Sequence, residues 1–201
     1  MTGEAVLFDE VYPDLQLVPF ALKRGDEAVR KAYLGWLNDM DVVRPIASPA
    51  LMVPNKGAAF VEESFARFTH STCRGFFIYY APDRAFIGTA KLDSISVHTR
   101  SAWDGIMIGD KHYFGRGLSS KVYRVLLAYA FGELGLHRVS GGCNEKNVPM
   151  VRTFKRLGYT PEGRLRQADC MDGEFSDHLY FGILRDEFFT ANRLSLKIKT
   201  S

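Results

Sequence analysis

Apolar residues recur at two different periods along this chain, and the changes of period mark its elements. Val29, Tyr33, Trp36 and Leu37 fall three or four residues apart, which predicts a helix over residues 26–38 with one buried stripe. Asp26, at its start, is a residue type that caps helix N-termini. Phe60, Val61, Phe65 and Phe68 predict a second helix over 58–69. Ahead of these, residues 15–18 alternate weakly and stop at Pro19, as a short strand would. Residues 42–54 hold three prolines and read as a loop.

The period then shortens. Residues 76–80 and 85–95 read as strands joined by the turn Ala81-Pro82-Asp83-Arg84, and 103–109 as a fourth strand. Helical spacing returns at Val122, Val125, Leu126 and Tyr129, which predicts a helix over 118–131 with Gly132 and Gly135 near its end. A fifth strand over 138–143, a helix over 148–157 that stops at Gly158, and a hairpin of 159–168 with 174–184 complete the pattern. Strands mixed with crossover helices imply one α+β (mixed α/β) domain with a central sheet over 1–187, followed by a basic tail over 188–201.

Composition narrows the class without naming it. Of 201 residues, 46% are apolar and 24% charged, a globular balance. The net charge of +3 is too small to suggest a nucleic-acid partner. No apolar stretch approaches the roughly 18 residues that span a bilayer. The start of the chain lacks the basic and apolar regions of a signal peptide, so a cytoplasmic location is expected. Three scattered cysteines give neither a disulfide framework nor a zinc spacing, and no metal is expected.

The stretch that carries chemistry runs from Ile106 to Ser119. A strand enters a turn with Gly115 and Gly117, and the turn opens a long helix. Backbone N–H groups at such a turn point outward and, with the helix dipole, form an anion site. Glycine lets a phosphate come close to the main chain. Gly-x-Gly alone fits an ordinary tight turn as well. A P-loop would need a Gly-Lys-Ser/Thr ending, and a dinucleotide fingerprint a third glycine where Ser120 stands.

In its wider setting the segment resembles the pyrophosphate motif of GNAT acetyltransferases, Gln/Arg-x-x-Gly-x-Gly/Ala, here His112-Tyr113-Phe114-Gly115-Arg116-Gly117. Ile108-Gly109-Asp110-Lys111, Tyr129-Ala130-Phe131, Leu136-His137-Arg138-Val139, Asn147, Phe154 to Tyr159 and Trp36-Leu37-Asn38-Asp39 resemble the RimJ/RimL-like branch in the same order. The resemblance covers roughly residues 15–187. It implies a mostly antiparallel seven-stranded sheet, splayed between strands four and five, with acetyl-CoA as co-substrate. Main-chain groups of Ile106, Met107 and Ile108 would hold the pantetheine arm. Amides of Tyr113, Phe114, Gly115, Arg116, Gly117, Leu118 and Ser119 would hold the pyrophosphate. Asn147 would hydrogen-bond the pantetheine, and Lys155 and Arg156 would reach the adenosine phosphate or merely complement their helix end. A homodimer also fits the branch, with Phe188-Phe189 as an apolar hint.

Aminolysis of a thioester needs a neutral amine, an acceptor for its proton and a donor to the developing oxyanion. The N–H near Ile108 fits the last role. Asp104 leads the candidate bases because it lies just before the wedge; His98, Asp93 and His178 follow, with Asp93 and Asp177 also expected to pair with Arg164 or Arg166. Trp103 is placed to line the acceptor pocket, which the loops over 42–54 and 96–101 would shape. Three positions depart from the family: His112 stands for Arg/Gln, Met150 for a small residue, and Phe154 for a tyrosine that protonates the departing thiolate. The expected function is N-acetyl transfer to a primary amine in a ternary complex, the acceptor an amino sugar (nucleotide-linked) or a protein N-terminus, with acidic antibiotics and polyamines left open. The competing reading is a catalytically silent acyl-CoA-binding module of the same fold.

Overall fold

A computed structural model describes residues 5–171, 173–191 and 196–200. Nine strands form one sheet in the order β7-β8-β6-β5-β4-β3-β2-β1-β9. In chain order they are β1 (Ala5–Asp9), β2 (Tyr12–Pro19), β3 (Arg74–Tyr80), β4 (Ala85–Ser96), β5 (Ser101–Ile108), β6 (Arg138–Asn144), β7 (Thr160–Met171), β8 (Glu174–Leu184) and β9 (Leu196–Thr200). The longer helices are α1 (Glu27–Asn38), α4 (Ala58–Phe68), α5 (Leu118–Ala128) and α6 (Val148–Leu157). Asp26 caps α1 as its side chain implied, accepting from the Val29 N–H. No helix among the described residues is long and apolar enough to cross a membrane.

The sheet has two strands more than the seven expected. β1 is five residues and β9 lies past the last patterned segment; β1 pairs antiparallel with β2 on one side and with β9, at the sheet edge, on the other. The segment expected as a tail is therefore partly structured. It contains β9 and the end of α7 (Arg185–Ala191), while residues 192–195 and 201 lie outside the described residues. Phe188 is fully buried, with its ring 5.4 Å from that of Phe131, so it is core and not a free apolar patch. The loop expected over 42–54 also needs correction. It contains the helical turns α2 (Met40–Val43) and α3 (Pro49–Met52), with a 3-10 turn at Arg44–Ile46 between them. Proline at the start of two of these turns is the reason, because its missing N–H would have been unpaired there anyway.

Among the described residues, every neighbouring pair of strands is antiparallel except one. β5 and β6 run parallel and pair only at Ser101–Arg138, Ala102–Val139 and Trp103–Ser140. Past Trp103, β5 stays with β4 as far as Ile108, and β6 stays with β8 as far as Asn144. The sheet thus divides into two halves that part between the fourth and fifth strands of the sequence pattern.

Strand alternation sends side chains to two cores. Ile106 and Ile108 pack with the cluster under α5 and α6, which includes Val122, Leu126, Phe154 and Phe181. Met107 joins the opposite cluster with α1 and α4, around Phe20, Tyr33, Phe65 and Phe77. Each fully buried leucine or phenylalanine contributes roughly 1.5–3 kcal/mol, so both faces of the central strands are firmly held.

Candidate active site

The wedge begins where β6 leaves β5. Gly109 N–H donates to Ile87 C=O on β4 at 2.8 Å. By the two-residue alternation of a strand, the N–H groups of Ile106 and Ile108 point the other way, toward the side β6 has left. They are main-chain donors in a cleft, without a strand partner. At the C-terminal end of β5, Asp110 caps a 3-10 turn (Lys111–Tyr113) by accepting from the His112 N–H. Lys111 Nζ lies 2.9 Å from carboxylates of both Asp39 and Asp41, tying this turn to α1 and α2. Tyr113 Oη donates to Asp83 at 2.7 Å, and that carboxylate pushes the phenol up to about 12. Gly115 and Gly117 take φ of 74° and 69°, the left-handed region that glycine enters without strain. Gly117 then opens α5 with no side-chain cap, leaving the first-turn amides available to an anion.

These pieces close a cavity of about 240 Å³. Ile106, Met107, Ile108, Tyr113, Phe114, Gly115, Gly117, Leu118, Ser119 and Asn147 line it, with Met150 and Thr153 from α6 and Pro45 and Ile46 opposite. Ten of the residues expected around a coenzyme are thereby brought together. Three are not among its walls. His112 is exposed, with Nδ1 2.8 Å from Asp110. Arg116 turns toward a neighbouring basic hollow that it shares with Lys121, Arg124 and Arg156. Phe154 is 1% exposed and stacks on Phe181 at 4.8 Å, inside the core. The Asn147 side chain is engaged at both ends: Oδ1 accepts from Met150 N–H as the α6 cap, and Nδ2 donates to Pro45 C=O at 2.9 Å.

A second cavity of about 330 Å³ lies on the α1/α4 face and shares Ile46, Ile106 and Met107 with the first. It is walled by α1, α3, α4, β4 and β5. Two hollows thus meet across the outer half of β5, one at each side of the strand.

Asp104 sits at the apex of the wedge, one residue beyond the last β5–β6 pair. Its Oδ1 accepts from Tyr123 Oη at 3.3 Å and its Oδ2 from Tyr159 Oη. The residue keeps some exposed surface, yet protein surrounds the carboxyl. Burial pushes it up to about 7, against the lowering effect of the two hydroxyls and of Lys91. Gly141 on β6 makes the room: a Cβ there would lie 2.5 Å from Asp104 Oδ1 and 2.8 Å from the Phe154 ring.

The other candidate bases go elsewhere. Asp93 pairs with Lys91 at 2.9 Å and with Arg67, not with Arg164 or Arg166. Burial acts to raise its pKa, but Lys91 and Arg67 hold it below the usual carboxylate range. Asp177 does meet Arg164. His98 is exposed in the turn between β4 and β5. His178 Nδ1 lies 3.0 Å from Asp169, at the far end of β6. Trp103 is 42% exposed and meets Tyr180 edge-on at 5.7 Å. Sequence reasoning missed Tyr123 and Tyr159 as partners of Asp104. The available signal was a hydroxyl on the apolar stripe of α5, at Tyr123.

Comparison with known proteins agrees with this geometry. A family model described as an acetyltransferase (GNAT) domain matches residues 15–160. The chain belongs to the GNAT acetyltransferase family. It is 33% identical over 115 residues to "Probable N-acetyltransferase YjcK" of Bacillus subtilis (strain 168), a match covering 56% of this chain and 62% of that protein. It is 21% identical over 97 residues to the spermidine N(1)-acetyltransferase of Escherichia coli (strain K12), covering 48% of this chain and 51% of that one. The chain thus spans about half to three-fifths of these curated relatives. Among solved structures, a spermidine N-acetyltransferase from Vibrio cholerae, in complex with CoA and spermine, superposes with a TM-score of 0.75. At 23% identity, with 88% of this chain and 98% of that chain covered, it shows a shared fold.

Proposed function

We propose that this protein is an acetyl-CoA-dependent N-acetyltransferase that acts on a primary amine by direct attack in a ternary complex. The observation that carries the reading is the pair of unpartnered main-chain donors, Ile106 and Ile108, in a wedge that leads to an uncapped helix N-terminus. The donor set fits the coenzyme. The α5 first turn suits a diphosphate, and the extended edge of β5 suits the amides of a pantetheine chain. The basic hollow of Arg116, Lys121, Arg124 and Arg156 suits a further phosphate. The order of motifs also favours the RimJ/RimL-like branch.

With the diphosphate end at α5, a chain running back along Ile108 and Ile106 brings its thioester to the apex, beside Asp104. The acceptor amine enters from the larger cavity, which opens onto the same stretch of β5. Ile106 N–H, the cleft-facing donor two residues from Asp104, donates to the carbonyl oxygen as it gains charge, and Ile108 N–H holds the pantetheine chain behind it. Asp104, with a pKa close to the working pH, takes the proton from the attacking nitrogen and returns it to the sulfur as the C–S bond breaks. One carboxyl thus does both transfers, and the absence of a hydroxyl at Phe154 needs no replacement from α6. Holding the two reactants in line supplies much of the remaining rate.

Calorimetry with acetyl-CoA and a thiol-release assay over a panel of amines test this reading. Binding with release on at least one amine is expected. Binding with no release on any amine would identify a silent acyl-CoA-binding module instead, and no binding at all would refute the site.

A further inference from the structure

The larger cavity has a chemistry that narrows its occupant. Its volume of about 330 Å³ is at the lower end for small-ligand sites, which run from about 300 to 1,000 Å³. Apolar side chains dominate its walls: Leu37 from α1, Ile46 and Leu51 from the segment of short turns, Phe60 and Phe68 from α4, and Met107 from β5. Three ionisable side chains capable of carrying charge at neutral pH line it, and two are cations, Arg67 and Lys91. The third, Glu63, is the single carboxylate among the described wall residues.

A third cation stands behind the wall. Lys56 is 7% exposed, and its Nζ donates to Leu37 C=O at 2.9 Å and to Val53 C=O at 2.6 Å. The same ammonium lies 5.9 Å from the Phe60 ring centroid. Lys56 thus takes up the carbonyl of the wall residue Leu37 together with that of Val53. The carboxylate of Asp93 is bound by both Arg67 and Lys91, and Asp93 is not a wall residue.

Resting on the acetyl-transfer reading, we infer that the acceptor is a small primary monoamine carried on an apolar or aromatic body, and not a polyamine. A polyamine brings additional ammonium groups besides the reacting one. Each would be stripped of water among apolar walls and cations, with one carboxylate to share. An apolar body loses nothing by that transfer and gains from burial. The surrounding positive charge also favours the neutral form of the reacting amine, the form that attacks.

The test compares kcat/KM for phenethylamine and hexylamine with that for spermidine and putrescine, using acetyl-CoA and the full chain. Phenethylamine or hexylamine should exceed both polyamines by about ten-fold or more, the order of discrimination an apolar pocket supplies. Equal or better turnover of spermidine would overturn the inference while leaving acetyl transfer intact. Turnover of none of the four, with acetyl-CoA bound and some other amine acetylated, would also overturn it. Failure to bind or turn over acetyl-CoA with any amine would instead sink the underlying reading, and the inference with it. As a second variant, Leu51→Glu adds a carboxylate to the cavity wall. It should raise relative activity on spermidine and lower it on hexylamine, with unchanged acetyl-CoA affinity; an unaltered preference counts against the assignment.

Discussion

In the proposed mechanism Asp104 owes its task to surroundings that set its proton affinity. Burial raises the carboxyl to about 7, and the Tyr123 and Tyr159 hydroxyls moderate that rise. Asp104→Asn should lower kcat by about 100-fold or more, the range of a lost proton-transfer group, with acetyl-CoA affinity unchanged by calorimetry. The wild-type rate should climb with pH through about 7 as Asp104 ionises. Tyr159→Phe removes one hydrogen bond to the charged form, so that limb should move to higher pH. Stability runs in the opposite sense. The folded protein binds the Asp104 proton more tightly than the unfolded chain, so this group's contribution is full below about pH 4 and is lost as pH rises through about 7. Asp104→Asn should therefore raise the melting temperature at pH 8 by a few degrees and lose that advantage at pH 4, read by calorimetric scans. Asp104 could be picked out in sequence because it lies on the wedge strand just before the wedge opens. Its partners could not, because Tyr159 meets it from 55 residues away, a contact that no local pattern records.

At the scale of elements, the parts with strong periodicity were legible. The α5 stripe, the α1 cap at Asp26 and the turn at Gly115 and Gly117 all follow from residue type and spacing. Elements whose stability comes from partners were less so. β1 and β9 are each five residues and gain their order from edge pairing. The turns over residues 40–52 are single helical turns, too short to show a period. The α5 N-terminus gives the element-scale prediction. Ser119→Glu puts a carboxylate in the first turn, where it would stabilise the helix dipole yet repel a diphosphate. Acetyl-CoA affinity should fall about ten-fold or more in calorimetry, with the melting temperature of the free protein unchanged or raised. A loss of folding cooperativity would point to damage in place of repulsion.

For the whole molecule, the decisive feature is the single parallel pair in an otherwise antiparallel sheet. Three residues of pairing hold β5 to β6; past them the strands part, while one core runs under both halves on the α5/α6 face and the other lies on the α1/α4 face. One hollow lies between the halves and another on the α1/α4 face, which is why the proposed mechanism brings coenzyme and amine to β5 by different routes. The coenzyme wedge was implied by likeness to the family, whereas the apolar, cation-rimmed character of the second hollow emerged only from the fold, since α1, α3, α4, β4 and β5 all contribute to it. Backbone amide hydrogen exchange, with and without acetyl-CoA, tests the account most directly. The N–H groups of Ile106 and Ile108, and those of residues 117–119, should gain protection on binding. Saturating coenzyme that leaves Ile106 and Ile108 exchanging at their free rates would contradict it.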